Sequence, residues 1–261
     1  MAPMRMLLAI LITFTCMSTT MQVHAEQKPN KELAIVIDDF GNGMKGTEDM
    51  LNLQVPLTVA VMPFLPTTAS DAKKAHEKGH EVIVHLPMEP KKGKKSWLGP
   101  GAITTDLSDQ EIRKRVEQAI AEVPYAVGMN HHMGSKVTED ERVMRIILAV
   151  CKEKGFFYLD SKTTGKSVIP KVARELGVPY VENNLFFDHV YSASHIQRQA
   201  SLLAQQLEEQ EQLIAIGHVG VTGDKVVTAL KSHIPEYKRQ AELVPVSALI
   251  PGFDRLDHEL P

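Results

Sequence analysis

An α/β barrel of parallel strands is the fold this sequence predicts, and three observations predict it. Short apolar runs alternate with amphipathic stretches from Leu33 onward. The runs are near-continuous in Val, Ile and Phe rather than alternating, as strands covered on both faces are. Seven or eight such units fit within 32–255, enough for a distorted seven- or eight-stranded parallel (β/α) barrel. A doubly wound open sheet is the alternative. The lone Gly41-Asn42-Gly43 after the first run is too little to mark a dinucleotide site.

Residues 1–25 stand apart from this pattern. Arg5 gives a short positive region, residues 6–16 are apolar, and Val23-His24-Ala25 puts small side chains where signal peptidase reads. A signal peptide cleaved after Ala25 is expected, with a retained anchor as the alternative. Residues 26–31 read as a polar linker and 256–261 as a tail. No later run reaches the about 18 apolar residues of a membrane span. The expected location is outside the cytoplasm: extracellular, wall-associated or periplasmic.

The expected strands are 33–37, 57–62, 81–86, 126–129, 156–159, 178–181, 213–216 and 243–249. Ser108 with Glu111, and Thr138 with Glu141, have capping-box spacing ahead of apolar stripes, and Gly155 closes the second helix. Ser194 and Gln197 open a third helix that runs to about Glu211. Shorter helices are expected near 45–53, 68–78, 167–176 and 223–231.

The chain has a net charge of −3, and loss of Arg5 leaves 28 basic against 32 acidic side chains. That balance gives no electrostatic footprint for nucleic acid. Lys91, Lys92, Lys94 and Lys95 read as a solvated loop, with contact to an anionic polymer as the sharper alternative. Of the two cysteines only Cys151 would survive cleavage, so no internal disulfide is expected. Cys151 lies on an apolar helix stripe and reads as a small buried hydrophobe.

Polar residues cluster at the C-terminal ends of the expected strands, where βα barrels build active sites. Asp38-Asp39 end the first, His85 the third with Glu89 beyond it, Asn130-His131-His132 the fourth, Asp160-Ser161 the fifth and His218 the seventh. Each alone reads as a cap or a bonded rim residue. Together on one rim they would repel or go unsatisfied unless a cation binds them. Two imidazoles and a carboxylate with an open position describe a zinc or iron site. Asp188-His189 lies in a loop that could reach this rim; the remaining histidines fall elsewhere.

These motifs resemble the polysaccharide deacetylases, and their divergent branch most fully. The resemblance rests on Ile37-Asp38-Asp39-Phe40-Gly41, on Gly79-His80-Glu81 leading through Val84-His85, on His85-Leu86-Pro87-Met88-Glu89, on residues 130–135, on Leu159-Asp160-Ser161 and on Ile216-Gly217-His218. It implies a metal-dependent hydrolase that removes N- or O-acetyl groups from a polysaccharide or oligosaccharide. Asp38 would be the catalytic base, Asp39 and His85 metal ligands, and His218 the general acid. The divalent metal would be zinc by expectation. Typical members carry a second metal histidine four residues after the first, where this chain has Glu89, and their Arg-Pro-Pro-Tyr-like stretch is absent. His132 is the candidate third ligand, with His131 behind it and Glu89 and Asp160 as accessory candidates. Trp97, the only tryptophan, is expected either to stack on a sugar or to plug the loop.

Two other functions compete. A carbohydrate-binding protein on a degenerate barrel fits the altered ligand position but leaves the Asp38-Asp39 pair without a purpose. A phosphoester hydrolase would want basic groups on the rim, where only Lys136 and Lys162 lie nearby.

Overall fold

The apolar runs become parallel strands because each of their two faces meets a different cover. The computed structural model describes residues 31–253; the expected signal peptide, most of the linker and the tail lie outside the described residues. The strands are β1 (Glu32–Phe40), β2 (Thr58–Val61), β3 (Glu81–Met88), β4 (Ala126–Met133), β5 (Phe157–Asp160), β6 (Tyr180–Glu182), β7 (Leu185–Phe186), β8 (Gln212–His218) and β9 (Glu242–Leu243). The helices are α1 (Thr47–Leu51), α2 (Thr68–Glu77), α3 (Asp109–Glu122), α4 (Glu141–Glu153), α5 (Ile169–Leu176), α6 (Ala193–Glu209) and α7 (Gly223–Gln240). One parallel sheet runs β6-β5-β4-β3-β2-β1-β8-β7, with β9 also paired to β1.

Side chains alternate between two cores. Leu33, Ile35 and Ile37 of β1 pack under the helices with residues such as Ile112, Ile147, Leu203 and Leu230. Ala34 and Val36 face inward with Ala60, Ile83, Val127, Phe157, Leu159, Ile214 and Ile216. Both sets are buried, which is why the sequence runs are continuous rather than alternating.

The sheet curls until its edge strands, β6 and β7, are separated in sequence only by Asn183 and Asn184. Asn183 N–H donates to Asp160 O on β5, and Asn184 N–H donates to Ile214 O on β8. The chain itself therefore spans the seam, and among the described residues no strand ladder joins its two sides. The barrel is thus parallel, as expected, and open in its hydrogen bonding at one place. At two residues, β7 is too short to carry a periodic signal.

The run expected as a strand over 243–249 pairs only at its start. Pro245 has no N–H to offer a ladder, and Val246–Leu249 turn as a 3-10 helix. Val246, Leu249 and Ile250 enter the inner core and close the lower end of the barrel.

Two helix starts also differ from expectation. The α4 cap is Asp140, whose carboxylate accepts from Val143 N–H at 3.1 Å. Thr138 sits in the preceding 3-10 turn and donates to Gly134 O. The α6 cap is Ser192 rather than Ser194, accepting from His195 N–H. Helix α7 continues through Pro235 to Gln240 instead of ending near 231, because the buried Tyr237 anchors its last turns by donating to Ala200 O at 2.8 Å. The Ser108 cap of α3 and the αL Gly155 after α4 stand as expected. Among the described residues no helix is long and apolar enough to cross a membrane.

Candidate active site

Strand parity and two bulges decide which rim residues meet. On β1 the inward series Ala34, Val36 continues to Asp38. The β1–β2 register then steps from Ile37↔Val59 to Phe40↔Val61, three residues against two. Phe40 returns to the helix side, so Asp38 and Asp39 share the extra position. Asp39 adopts φ 71, the left-handed region that aspartate tolerates better than most residues. On a regular strand two adjacent aspartates would point to opposite faces.

Strand β4 repeats the device. Its register on β3 passes from Val82↔Ala126 to Val84↔Met129, again with one extra residue. Val127 faces the inner core and Met129 the outer one. Asn130 and His132 then fall on the barrel side, and His131 on the helix side.

Three ligand-type atoms converge at this rim. Asp39 Oδ1 lies 3.3 Å from His85 Nε2 and 2.9 Å from His132 Nδ1. Asp39, His85 and His132 form a group whose ligand atoms lie within 4.8 Å of one another. The other nitrogen of each ring is already committed. Asn130 Nδ2 donates to Asp38 Oδ1 at 2.9 Å, so its amide oxygen faces His85 Nδ1 at 2.7 Å and must accept from it. The Trp97 carbonyl likewise accepts from His132 Nε2 at 3.0 Å. In the neutral rings His85 Nε2 and His132 Nδ1 are therefore lone pairs, and both face a carboxylate oxygen. Asp39 Oδ1 and His85 Nε2 are buried and have no hydrogen-bond partner. Three acceptors turned toward one another fit a divalent cation.

The electrostatics follow from burial and crowding. Burial raises Asp38 above the usual carboxylate range, against the pull of His85 and His218. Burial also opposes a charged Asp39, but donation from the His132 and His85 rings in their protonated forms, with the His218 charge, outweighs it and holds that carboxyl well below the ordinary range; in the neutral rings that donation is absent. Burial works against protonated His85, and Asp38, Asp39 and Asn130 together raise it.

His218 pairs with Asp38 in the β1–β8 register. Asp188 holds it: Oδ1 accepts from His218 Nδ1 at 2.8 Å, while Oδ2 accepts from His218 N–H and the Thr222 hydroxyl. Burial pulls the imidazole down, and the Asp188 bond with the Asp188, Asp39 and Asp38 charges reverses this, pushing it up to about 10. Phe186 stacks on the ring at 6.0 Å between centroids.

Three candidates from the sequence fall outside this group. Glu89 accepts from Thr105 N–H and hydroxyl through Oε2 and pairs with Lys136 at 2.8 Å through Oε1, tying down loops. His131 is buried on the helix side against the Tyr158 hydroxyl, at 3.3 Å; burial and the neighbouring His85 and His132 push it down to about 3. Asp160 shares parity with Tyr158, away from the barrel interior, and accepts from Lys162 N–H. Asn130, Thr222 and the Trp97 carbonyl carry contacts that sequence reasoning assigned to nothing. Asp188, noted only as a loop residue near the rim, is the partner of His218. Cys151 is buried and free, and burial pushes its thiol up to about 12, an inert state.

The fold and site define a parallel α/β barrel with a candidate metal centre at its C-terminal rim. The chain belongs to the divergent polysaccharide deacetylase family, whose model matches residues 35–250. Two relatives are uncharacterized proteins of Haemophilus influenzae and of Escherichia coli K12, the latter called YibQ. Each is 33% identical to this chain over 78% of its length. The matched regions span 72% of the Haemophilus protein and 63% of the Escherichia one. An uncharacterized protein of Agrobacterium tumefaciens C58, ATU2773, has a solved structure of the same fold, with TM-score 0.77, 18% identity and coverage of 86% of this chain and 91% of that one. The polysaccharide deacetylase Bc1974 of Bacillus cereus aligns at TM-score 0.51 and 14% identity over 83% and 93% of the two chains.

Proposed function

We propose that this protein is an exported, zinc-dependent hydrolase that removes acetyl groups from a polysaccharide. One observation carries the reading: the lone pairs of His85 Nε2 and His132 Nδ1 and the oxygen of Asp39 converge with no hydrogen to share. Asp39, His85 and His132 would hold the cation. When bound, it would supply Lewis acidity, acidifying water and polarising a carbonyl.

The chain's own residues supply the proton transfers. Asp38, kept basic by burial and steered by Asn130, takes the proton of the attacking water. His218, held in one orientation by Asp188, gives its proton to the leaving nitrogen or oxygen. Export rests on the N-terminal 25 residues, and the glycan substrate on the family.

Metal content of the purified protein and acetate release from acetylated glycans test the reading together. One zinc per chain is expected. Asp38→Asn should keep that zinc and lose about 10²–10⁴-fold in turnover, while His85→Ala should lose both. Saturable glycan binding without acetate release would move the protein to the carbohydrate-binding class instead.

A further inference from the structure

We infer that Asn130 is a positioning residue that ties the catalytic base to the metal site through a single carboxamide; the inference rests on the hydrolase reading above. Asn130 is buried, and its two ends touch different machinery: Nδ2 donates to Asp38 Oδ1 at 2.9 Å and Oδ1 accepts from His85 Nδ1 at 2.7 Å. Asp38 Oδ1 and His85 Nδ1 themselves stand 3.7 Å apart, beyond a direct hydrogen bond.

The polarity of the amide makes the arrangement directional. A carboxylate can only accept, so the amide nitrogen must face Asp38 and the amide oxygen must face His85. A neutral imidazole has one N–H, and the amide oxygen claims it at Nδ1. Nε2 is then bare on the side of Asp39. One residue thus sets which nitrogen His85 offers to a cation and which way the base carboxylate is turned. The extra residue in β4 is what brings Asn130 to the barrel side; in an unbulged strand it would face the helices. Glycine at 134 completes the local shape, because a Cβ there would meet His131 at 2.9 Å.

The two duties separate by substitution. Asn130→Asp keeps an acceptor for His85 and removes the donor to Asp38, placing a like charge there. Zinc affinity should stay within about threefold, while kcat falls at least tenfold with little change in KM. Asn130→Leu keeps the branched shape, though it is bulkier, and removes both bonds. It should weaken zinc about 10–100-fold, the range for loss of a ligand's supporting bond, and lower kcat as well. Zinc affinity is read by competition with a chromophoric chelator, and folding by circular dichroism.

The tautomer is read independently on the unaltered protein. Long-range ¹H–¹⁵N correlation spectra of the metal-free protein at alkaline pH should find His85 protonated at Nδ1. Protonation at Nε2 there, wild-type kcat in Asn130→Asp, or wild-type zinc affinity in Asn130→Leu would each overturn the assignment. A Nδ1 proton in a protein that releases no acetate would defeat the hydrolase reading and leave the amide's polarity standing.

Discussion

Each end of the barrel interior holds a carboxylate with a buried oxygen, and the groups turned toward Glu81 differ in kind from those turned toward Asp39. At the lower end Glu81 Oε1 accepts from the Thr58 hydroxyl at 2.9 Å and from Ser247 N–H at 3.2 Å. Thr58 in turn accepts from Val246 N–H. The 3-10 turn that plugs the barrel thus arrives with Ser247 N–H aimed at the Glu81 carboxyl and Val246 N–H at its hydroxyl partner. At the upper end Asp39 is ringed by imidazoles whose donor hydrogens are already spent on Asn130 and Trp97. Buried charge alone therefore marks neither structure nor function. The direction of the neighbouring groups separates the two cases: donors turned toward Glu81 Oε1 belong to the fold, and acceptors converging on Asp39 await a ligand.

The largest test of that contrast is at the upper end. Zinc at about 100 times its Kd should stabilise the wild-type protein by about 2.7 kcal/mol, or about 5–10 °C in melting temperature for a domain of this size. Asp39→Asn and His132→Ala should abolish the increment and lower turnover at least about 10³-fold. Glu81→Ala addresses the lower end. It leaves the Thr58 hydroxyl and Ser247 N–H without their acceptor, at about 1–3 kcal/mol, and should lower the melting temperature with and without zinc alike. An unequal loss would mean that the two ends are coupled.

The Asp188→Asn substitution asks whether a satisfied carboxylate can also serve the site. With the carboxylate gone, burial prevails and His218 gives up its proton at lower pH. The alkaline limb of kcat/KM should move down by at least one pH unit. The sign holds for stability too. His218 is raised from 6.5 to about 10 on folding, so its contribution is complete below about 6.5 and fades as pH climbs toward 10. The variant should lose that dependence in thermal melts across the same window. Glu89→Gln should have the smallest effect. It weakens a half-exposed pair with Lys136, worth less than about 1 kcal/mol, and should leave one zinc per chain.

Much of this architecture is legible in the amino-acid sequence. The βα alternation, the order of the main strands and the convergence of strand ends follow from period and composition. What the sequence does not carry is parity at the strand ends. His131 and His132 are adjacent and chemically identical, and a single extra residue in β4 decides which one faces Asp39. Asp160 ends its strand as Asp38 does, yet lies on the other face. Asn130 stands in the rim cluster the sequence shows, but without a titratable group nothing assigns it a role, and the Trp97 carbonyl is backbone, invisible to any reading of side chains. The final run looks like a strand because its core-facing residues are apolar; Pro245 turns it into a plug. Thr138 and Ser194 have capping chemistry, but neighbouring Asp140 and Ser192 stand nearer the first free N–H groups.

The β1–β8 join has a consequence for how the chain becomes competent. Glu32 and Gln212 are partners 180 residues apart, and Asp38 meets His218 on the same join. Contacts of such long range are slow to form because a large loop must close first. The first strand must wait, with one edge bare, until residues 212–218 have been made. Under the proposed mechanism Asp38 and His218 would face each other only after that closure, so the appearance of turnover would report when the join has formed.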